Sequence, residues 1–244
     1  MTGDLSLPLV ALAGLFAGTT ASVAGFGIGS LLTPLLALRL GTPTAVAAVA
    51  IPHAAATVLR AWRLRHAVDW PLFRRFGVWS AVGGLAGALL FTRLGGPALT
   101  RVLGALLILT AVSTLSGWAS RVHVPTWAAW GLGLLSGFFG GIVGNQGGLR
   151  AGALLGLGLA PAAFVATSTL SGVVVDAVRT PLYVARAGGA VLDAWPLVLA
   201  ATAGALAGTL LGERALFGLS PARFRQVVGA LIGLLGCWLL LGTV

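Results

Sequence analysis

Charge is scarce in this sequence. Charged residues make up 8% of the 244-residue chain, against the roughly 25% that a soluble domain uses to build its surface. Only five residues are acidic, so paired carboxylates for acid–base chemistry are hard to assemble: Asp4, Asp69, Asp193 and Glu213 fall near segment ends, which leaves Asp176 alone inside an apolar run. Lysine is absent, and all fifteen basic residues are arginine. A lone Cys237 rules out an intramolecular disulfide and a CxxC redox pair. Three scattered histidines with one cysteine give no metal-ligand spacing. Without a nucleophile–base pair, a carboxylate pair or a metal cluster, the chain is not expected to be an enzyme, and no cofactor is expected. Its formal charge of +10 does not indicate nucleic acid, because the arginines are dispersed between apolar segments rather than gathered on a polar face.

Long hydrophobic runs are abundant. Hydrophobic residues make up 58% of the chain, which describes an all-α polytopic membrane protein, a single transmembrane domain over 1–244. Its first partner is therefore the lipid bilayer. Apolar segments fall at about 5–24, 28–40, 43–60, 73–92 and 99–119, then at about 126–144, 148–160, 162–180, 195–212 and 226–243. The second member of each set is about thirteen residues, ~20 Å of helix against a hydrocarbon core of ~30 Å. The expectation is eight full spans plus two half-helices. The start Met1–Asp4 lacks the basic region of a cleavable signal, so the first segment is expected to remain as a span.

Each short segment follows a glycine-rich break, Gly25-Phe26-Gly27-Ile28-Gly29-Ser30 in one case and Gly144-Asn145-Gln146-Gly147-Gly148 in the other. Non-helical backbone at membrane depth is tolerated only where protein buries it or water lines it. In many secondary transporters such breaks expose half-helix ends that bind solute. The two breaks are spaced as copies: Gly14-Leu-Phe-Ala-Gly18 matches Gly133-Leu-Leu-Ser-Gly137, and the same offset pairs Gly25 with Gly144 and Gly29 with Gly148. Trp70-Pro-Leu72 returns as Trp195-Pro-Leu197. Two internal repeats are expected, 5–119 and 126–243, with a site between them. They are parallel if the short segments re-enter and inverted if these cross. The dense loop Arg60, Arg63, Arg65, Arg74 and Arg75 is expected in the cytoplasm.

The repeated order of break, short helix and Trp-Pro entry resembles the sulfite exporter TauE/SafE family. Residues carrying the resemblance include Gly25-Phe-Gly-Ile-Gly29, Thr33-Pro34-Leu35-Leu36, Val68-Asp69-Trp70, Gly144 to Gly148 and Val165-Ala-Thr-Ser168. It extends over nearly the whole chain. It implies a multi-pass permease of a bacterial inner or plasma membrane, moving sulfite, sulfonates or sulfoacetate-like anions. Two departures fall at the expected site: Ala50-Ile51 followed by Pro52-His53 stands where the family usually has Thr-Ser, and Asn145-Gln146 interrupts a break that is usually all glycine.

Asn145 and Gln146 offer amide donors and acceptors, while Gly25, Gly27, Gly29, Gly147 and Gly148 permit close backbone approach. Backbone N–H groups opening a helix after the break add positive potential. Together these make an uncharged cradle for a small anionic solute; the alternative is that the amides only satisfy unwound backbone. In the following segment Thr169, Asp176 and Tyr183 recur at intervals of seven, and Arg179 shares their helix face. Asp176 and Arg179 are read either as a pair lining a polar cavity or as a structural pair whose arginine snorkels to the interface. His53, beside Pro52, is read either as an anion or proton site or as a partner for carbonyls freed by the proline. Thr33 joins the candidates through the family motif. The reading is a secondary transporter working by alternating access; a passive anion channel and a membrane scaffold or assembly factor are the alternatives. A homo-oligomer is compatible with this composition.

Overall fold

A computed structural model describes residues 6–117, 121–215 and 221–242 of the chain; Asp4 and the side chain of Glu213 lie outside the described residues. The described residues form ten α-helices and no strand. The first five are α1 (Leu7–Ala24), α2 (Ile28–Leu40), α3 (Thr42–Leu64), α4 (Trp70–Phe91) and α5 (Gly96–Ser116). The second five are α6 (Ala129–Val143), α7 (Gly147–Gly156), α8 (Pro161–Asp193), α9 (Trp195–Ala215) and α10 (Pro221–Leu241). Helix starts follow local chemistry. Pro8, Pro43, Pro71, Pro97 and Pro161 sit in the first turn of α1, α3, α4, α5 and α8, where the missing N–H costs nothing. At α4 the Asp69 carboxylate also accepts from Leu72 N–H at 2.9 Å, a side-chain cap.

The expected count of eight full spans is corrected. Among the described residues six helices are long and apolar enough to cross a membrane: α1, α3, α5, α6 with its leading turn, α8 and α9. The helix α4 has the length, but Arg74, Arg75 and four glycines dilute its hydropathy. In α10 the stretch Gln226–Leu241 is apolar yet short. The two short segments are short as expected, at 13 residues in α2 and 10 in α7. The helix α8 overruns its expected end at 180 and continues through Pro181 to Asp193. A proline removes one backbone bond and normally kinks or ends a helix. Here Arg179 and Tyr183, on either side of Pro181, are both tied to backbone carbonyls of α6, so tertiary bonds hold the helix where local propensity would release it.

Small residues set how the helices meet. In lipid, close backbone approach replaces the hydrophobic drive between helices. Gly14 and Gly18 of α1 lie against Ala201 and Ala205 of α9, while Gly208 lies against Leu15. Residue numbers rise together along this contact, so α1 and α9 run parallel. The helices α4 and α6 repeat the arrangement: Gly133 lies on Phe76, Gly137 on Ser80 and Gly141 on Gly84. The opposite order holds for α5 and α10, where Gly104 meets Leu240 and Gly229 meets Leu115. It holds also for α3 and α8, where His53 meets Asp176 and Arg60 meets Thr169. Those two pairs are antiparallel. The α3–α8 pair forms the centre, with α2 and α7 packed beside it.

Candidate functional site

The two breaks are built alike. At the end of α1, Gly25 takes φ +75° and returns its N–H to Ala21 O. At the end of α6, Gly144 takes φ +71° and returns its N–H to Gly140 O. A side chain is strained in that left-handed region, which is why glycine ends both helices. Three residues later the short helices begin, and neither α2 nor α7 has a side-chain cap on its first turn. Their leading N–H groups therefore stay available at the break.

The breaks face one another. Ser30 Oγ donates to Asn145 Oδ1 at 2.9 Å, and a Cβ on Gly29 would fall 2.5 Å from Gly144 O. They enclose a space of about 10 Å³ lined by 25–30 and 144–147 together with His53, Arg60 and Arg150. That is room for about one water molecule.

Around this space the chain buries three arginines. Arg150, on the first turn of α7, is 1% exposed; its Nε donates to Ser168 Oγ at 2.9 Å, and one terminal nitrogen has no partner. Arg60, on α3, is 4% exposed. Its Nε donates to Thr169 Oγ1 at 2.9 Å, and again one terminal nitrogen has no partner. Neighbouring hydroxyls of α8 thus hold two guanidiniums from different helices. Arg179 is fully paired. Its Nε and a terminal nitrogen reach Asp176 Oδ1 at 2.9 and 2.7 Å, and its other terminal nitrogen donates to Gly140 O at 2.6 Å. The second Asp176 oxygen lies 2.7 Å from His53 Nδ1. Against an ionised carboxylate Nδ1 carries the hydrogen, which leaves Nε2 as the ring nitrogen open to other chemistry. Three buried guanidiniums stand against one buried carboxylate, so positive charge is in excess at the centre.

Of the residues expected at the site, Gly25, Gly27, Gly29, His53, Asn145, Gln146 and Gly147 line the central space. Asn145 Nδ2 and both amide atoms of Gln146 are buried without partners, so none of these three atoms bonds to unwound backbone. Gly148 stands one step further in, where a Cβ would collide with Thr110. Thr33 is buried with an unpartnered hydroxyl, away from the lining. Thr169 holds Arg60. Asp176, Arg179 and Tyr183 form a second layer: Tyr183 OH donates to Gly141 O at 2.6 Å, and none of the three lines the space. Arg179 does not snorkel; it is 1% exposed.

Sequence reasoning missed two residues. Arg60 was expected in a cytoplasmic loop, because the apolar run ends there; in the structure α3 continues another turn and turns Arg60 inward. Arg150 closes the break motif itself. An arginine in the first turn of an apolar helix is costly in lipid, which makes it a functional-site candidate by default.

These features define a class: a multi-pass helical membrane protein whose broken helices meet around a buried, cationic centre. Within that class the chain belongs to the sulfite exporter TauE/SafE family, whose model matches residues 10–239, and it is a membrane transporter on that basis. No curated protein and no solved structure matches it.

Proposed function

We propose that the protein is a secondary carrier of a small oxyanion, bound between its two halves where the breaks meet. One observation carries this reading: Arg60 and Arg150 are buried, each with an unpartnered terminal nitrogen, and no carboxylate pairs with either. A buried cation without a counter-charge is strongly unfavourable, and an anion between the guanidiniums relieves both. The open first turns of α2 and α7 add N–H donors on the same side, and the free amides of Asn145 and Gln146 orient oxygens. Family membership supports a sulfur oxyanion such as sulfite, a sulfonate or sulfoacetate.

Packing directions support an inverted duplication. The α1–α9 contact becomes the α6–α4 contact when the halves are exchanged, and the corresponding helices α3 and α8 cross antiparallel, as do α5 and α10. Parallel repeats would set such counterparts pointing the same way. Five elements per half then alternate in direction along the bundle, the short α2 and α7 included. Arg63, Arg65, Arg74, Arg75 and Arg223 come to one end of the bundle, the cytoplasmic end of an inner or plasma membrane.

The enclosed 10 Å³ space favours alternating access over a passive channel, since a pore would need continuous room. The reading is tested in proteoliposomes loaded with sulfite, sulfonates, carboxylates, cations and neutral solutes. Uptake or ligand-induced thermal stabilisation by oxyanions supports it; stabilisation by cations or neutral solutes alone ends it.

A further inference from the structure

His53 stands between two environments. Its Nδ1 faces Asp176 Oδ2 at 2.7 Å and Thr57 Oγ1 at 3.4 Å, while the ring borders the enclosed space where the breaks meet. Its Nε2 makes no hydrogen bond among the described residues. Asp176 is held at both oxygens, Oδ2 by His53 and Oδ1 by Arg179, and it does not line the central space. Its far side borders a cleft between α3 and α8 that is apolar apart from Asp176 and Thr180. Of the side chains lining the central space, only the imidazole is of a type that changes charge between pH 5 and 8. The charges facing it are Asp176 and Arg179 of α8, Arg150 of α7 and Arg60 of α3 itself, with Tyr183 beside Arg179. Among the described residues, α2, α5 and α9 place no charged side chain on this space.

We infer that His53 is a proton-binding site whose proton travels with the solute: Nε2 takes one proton from water as an oxyanion enters the centre, and returns it to water on the other side as the anion leaves. This inference rests on the carrier reading above. Asp176 supplies the counter-charge that an imidazolium needs in the interior, and by occupying Nδ1 it directs the new N–H to Nε2. Without an anion, a further cation beside Arg60 and Arg150 meets like charge across the central space. An anion between those guanidiniums offsets that repulsion and accepts the new Nε2–H. Proton and anion therefore bind more tightly together than either does alone, and the coupling is reciprocal. Only N–H bonds form and break, with water as proton donor and acceptor. The apolar lining of the α3–α8 cleft offers few polar partners, so the proton enters by the solute's own path.

The test uses the full chain and methanesulfonate, a strong-acid anion that stays ionised across the range in which histidine titrates. Proton movement linked to it therefore belongs to the protein. Above the range in which the occupied ring releases its proton, affinity should fall by up to about tenfold per pH unit, the slope of one linked proton. Binding in weakly buffered detergent solution should take up about one proton per anion. In potential-clamped vesicles holding a pH dye, an inward methanesulfonate gradient should carry protons inward with it. His53→Gln keeps a donor for Asp176 but holds no proton, and should abolish both the slope and the uptake. The pair His66→Gln and His123→Gln, both exposed, should change neither. That pair leaves His53 as the one histidine in the chain, so its slope decides the matter even where His53→Gln fails to fold. A flat pH dependence, a slope lost in the exposed pair, or a slope that survives His53→Gln would overturn the proton site. Oxyanion transport in that case leaves the carrier reading intact. Proton uptake that depends on His53, without any oxyanion transport, would uphold the proton site and defeat the carrier reading.

Discussion

Ser30 and Asn145 join the two halves of the molecule by one hydrogen bond of 2.9 Å. The residues are 115 apart in sequence, and each belongs to the break that opens a short helix. Their bond closes the centre from one side, while Arg150 and Arg60 face it from the other elements around it. The contact engages only the amide oxygen of Asn145, whose nitrogen is buried without a partner. The predictions below follow from which atoms at this centre are paired and which are not.

Replacing Arg150 by glutamine should separate binding from stability. The guanidinium has one hydroxyl partner and no counter-charge, so its removal relieves a buried cation and the empty protein should unfold at the same or a higher temperature. Oxyanion affinity should fall by about ten- to hundredfold, the worth of a charged hydrogen bond of ~1.5–3 kcal/mol. Thermal unfolding with and without sulfite reads both quantities. A large loss of stability in the empty variant would mean that Arg150 is structural.

Asp176 and Arg179 should behave as a unit. Arg179→Met alone leaves the Asp176 carboxylate buried with only His53 and should cost about 3–5 kcal/mol. The double change Asp176→Asn with Arg179→Met should cost clearly less than the two single losses added together. A double-mutant cycle by denaturation in detergent measures the coupling, and additivity would count against the pairing.

The amides of the second break should matter to solute more than to fold. Gln146 has no hydrogen-bond partner for either amide atom, so Gln146→Ala removes unpaired buried polar atoms and should cost little stability. Asn145→Ala strands the Ser30 hydroxyl and should cost about 1 kcal/mol. Together they should weaken oxyanion binding several-fold. Unchanged transport in the double-alanine variant would remove the amides from the site.

Glycine at the breaks should be intolerant of a single methyl group for a packing reason. A Cβ on Gly29 would crowd Gly144 O of the opposite break, so Gly29→Ala should destabilise by about 1–3 kcal/mol. Gly131 on α6 has nothing within 4 Å of an added Cβ; Gly131→Ala should be neutral or slightly stabilising. Matching thermal shifts for the two variants would show that the breaks do not pack as closely as described.

The sequence by itself determined the membrane class, the place of both breaks and the short helices after them. Hydropathy runs, glycine at left-handed positions and proline in first turns act within a few residues, and local chemistry of that kind is readable in one dimension. The family resemblance was likewise carried by contiguous motifs such as Gly25–Gly29 and Gly144–Gly148, and the family match bears it out. Only the tertiary structure decided which polar groups meet. Arg60 looked like the start of a loop because hydropathy does not tell the inward side of a helix end from the outward one. Its neighbour Thr169 lies 109 residues away. Pro181 looked like a helix end because the bonds that carry α8 through it come from Gly140 and Gly141 on another helix. Whether Arg179 reached water or Asp176 depended on what covered it, and α6 covers it. Charge pairing in a low-dielectric interior is settled by distances of a few ångströms between distant segments, and the order of residues along the chain does not contain those distances.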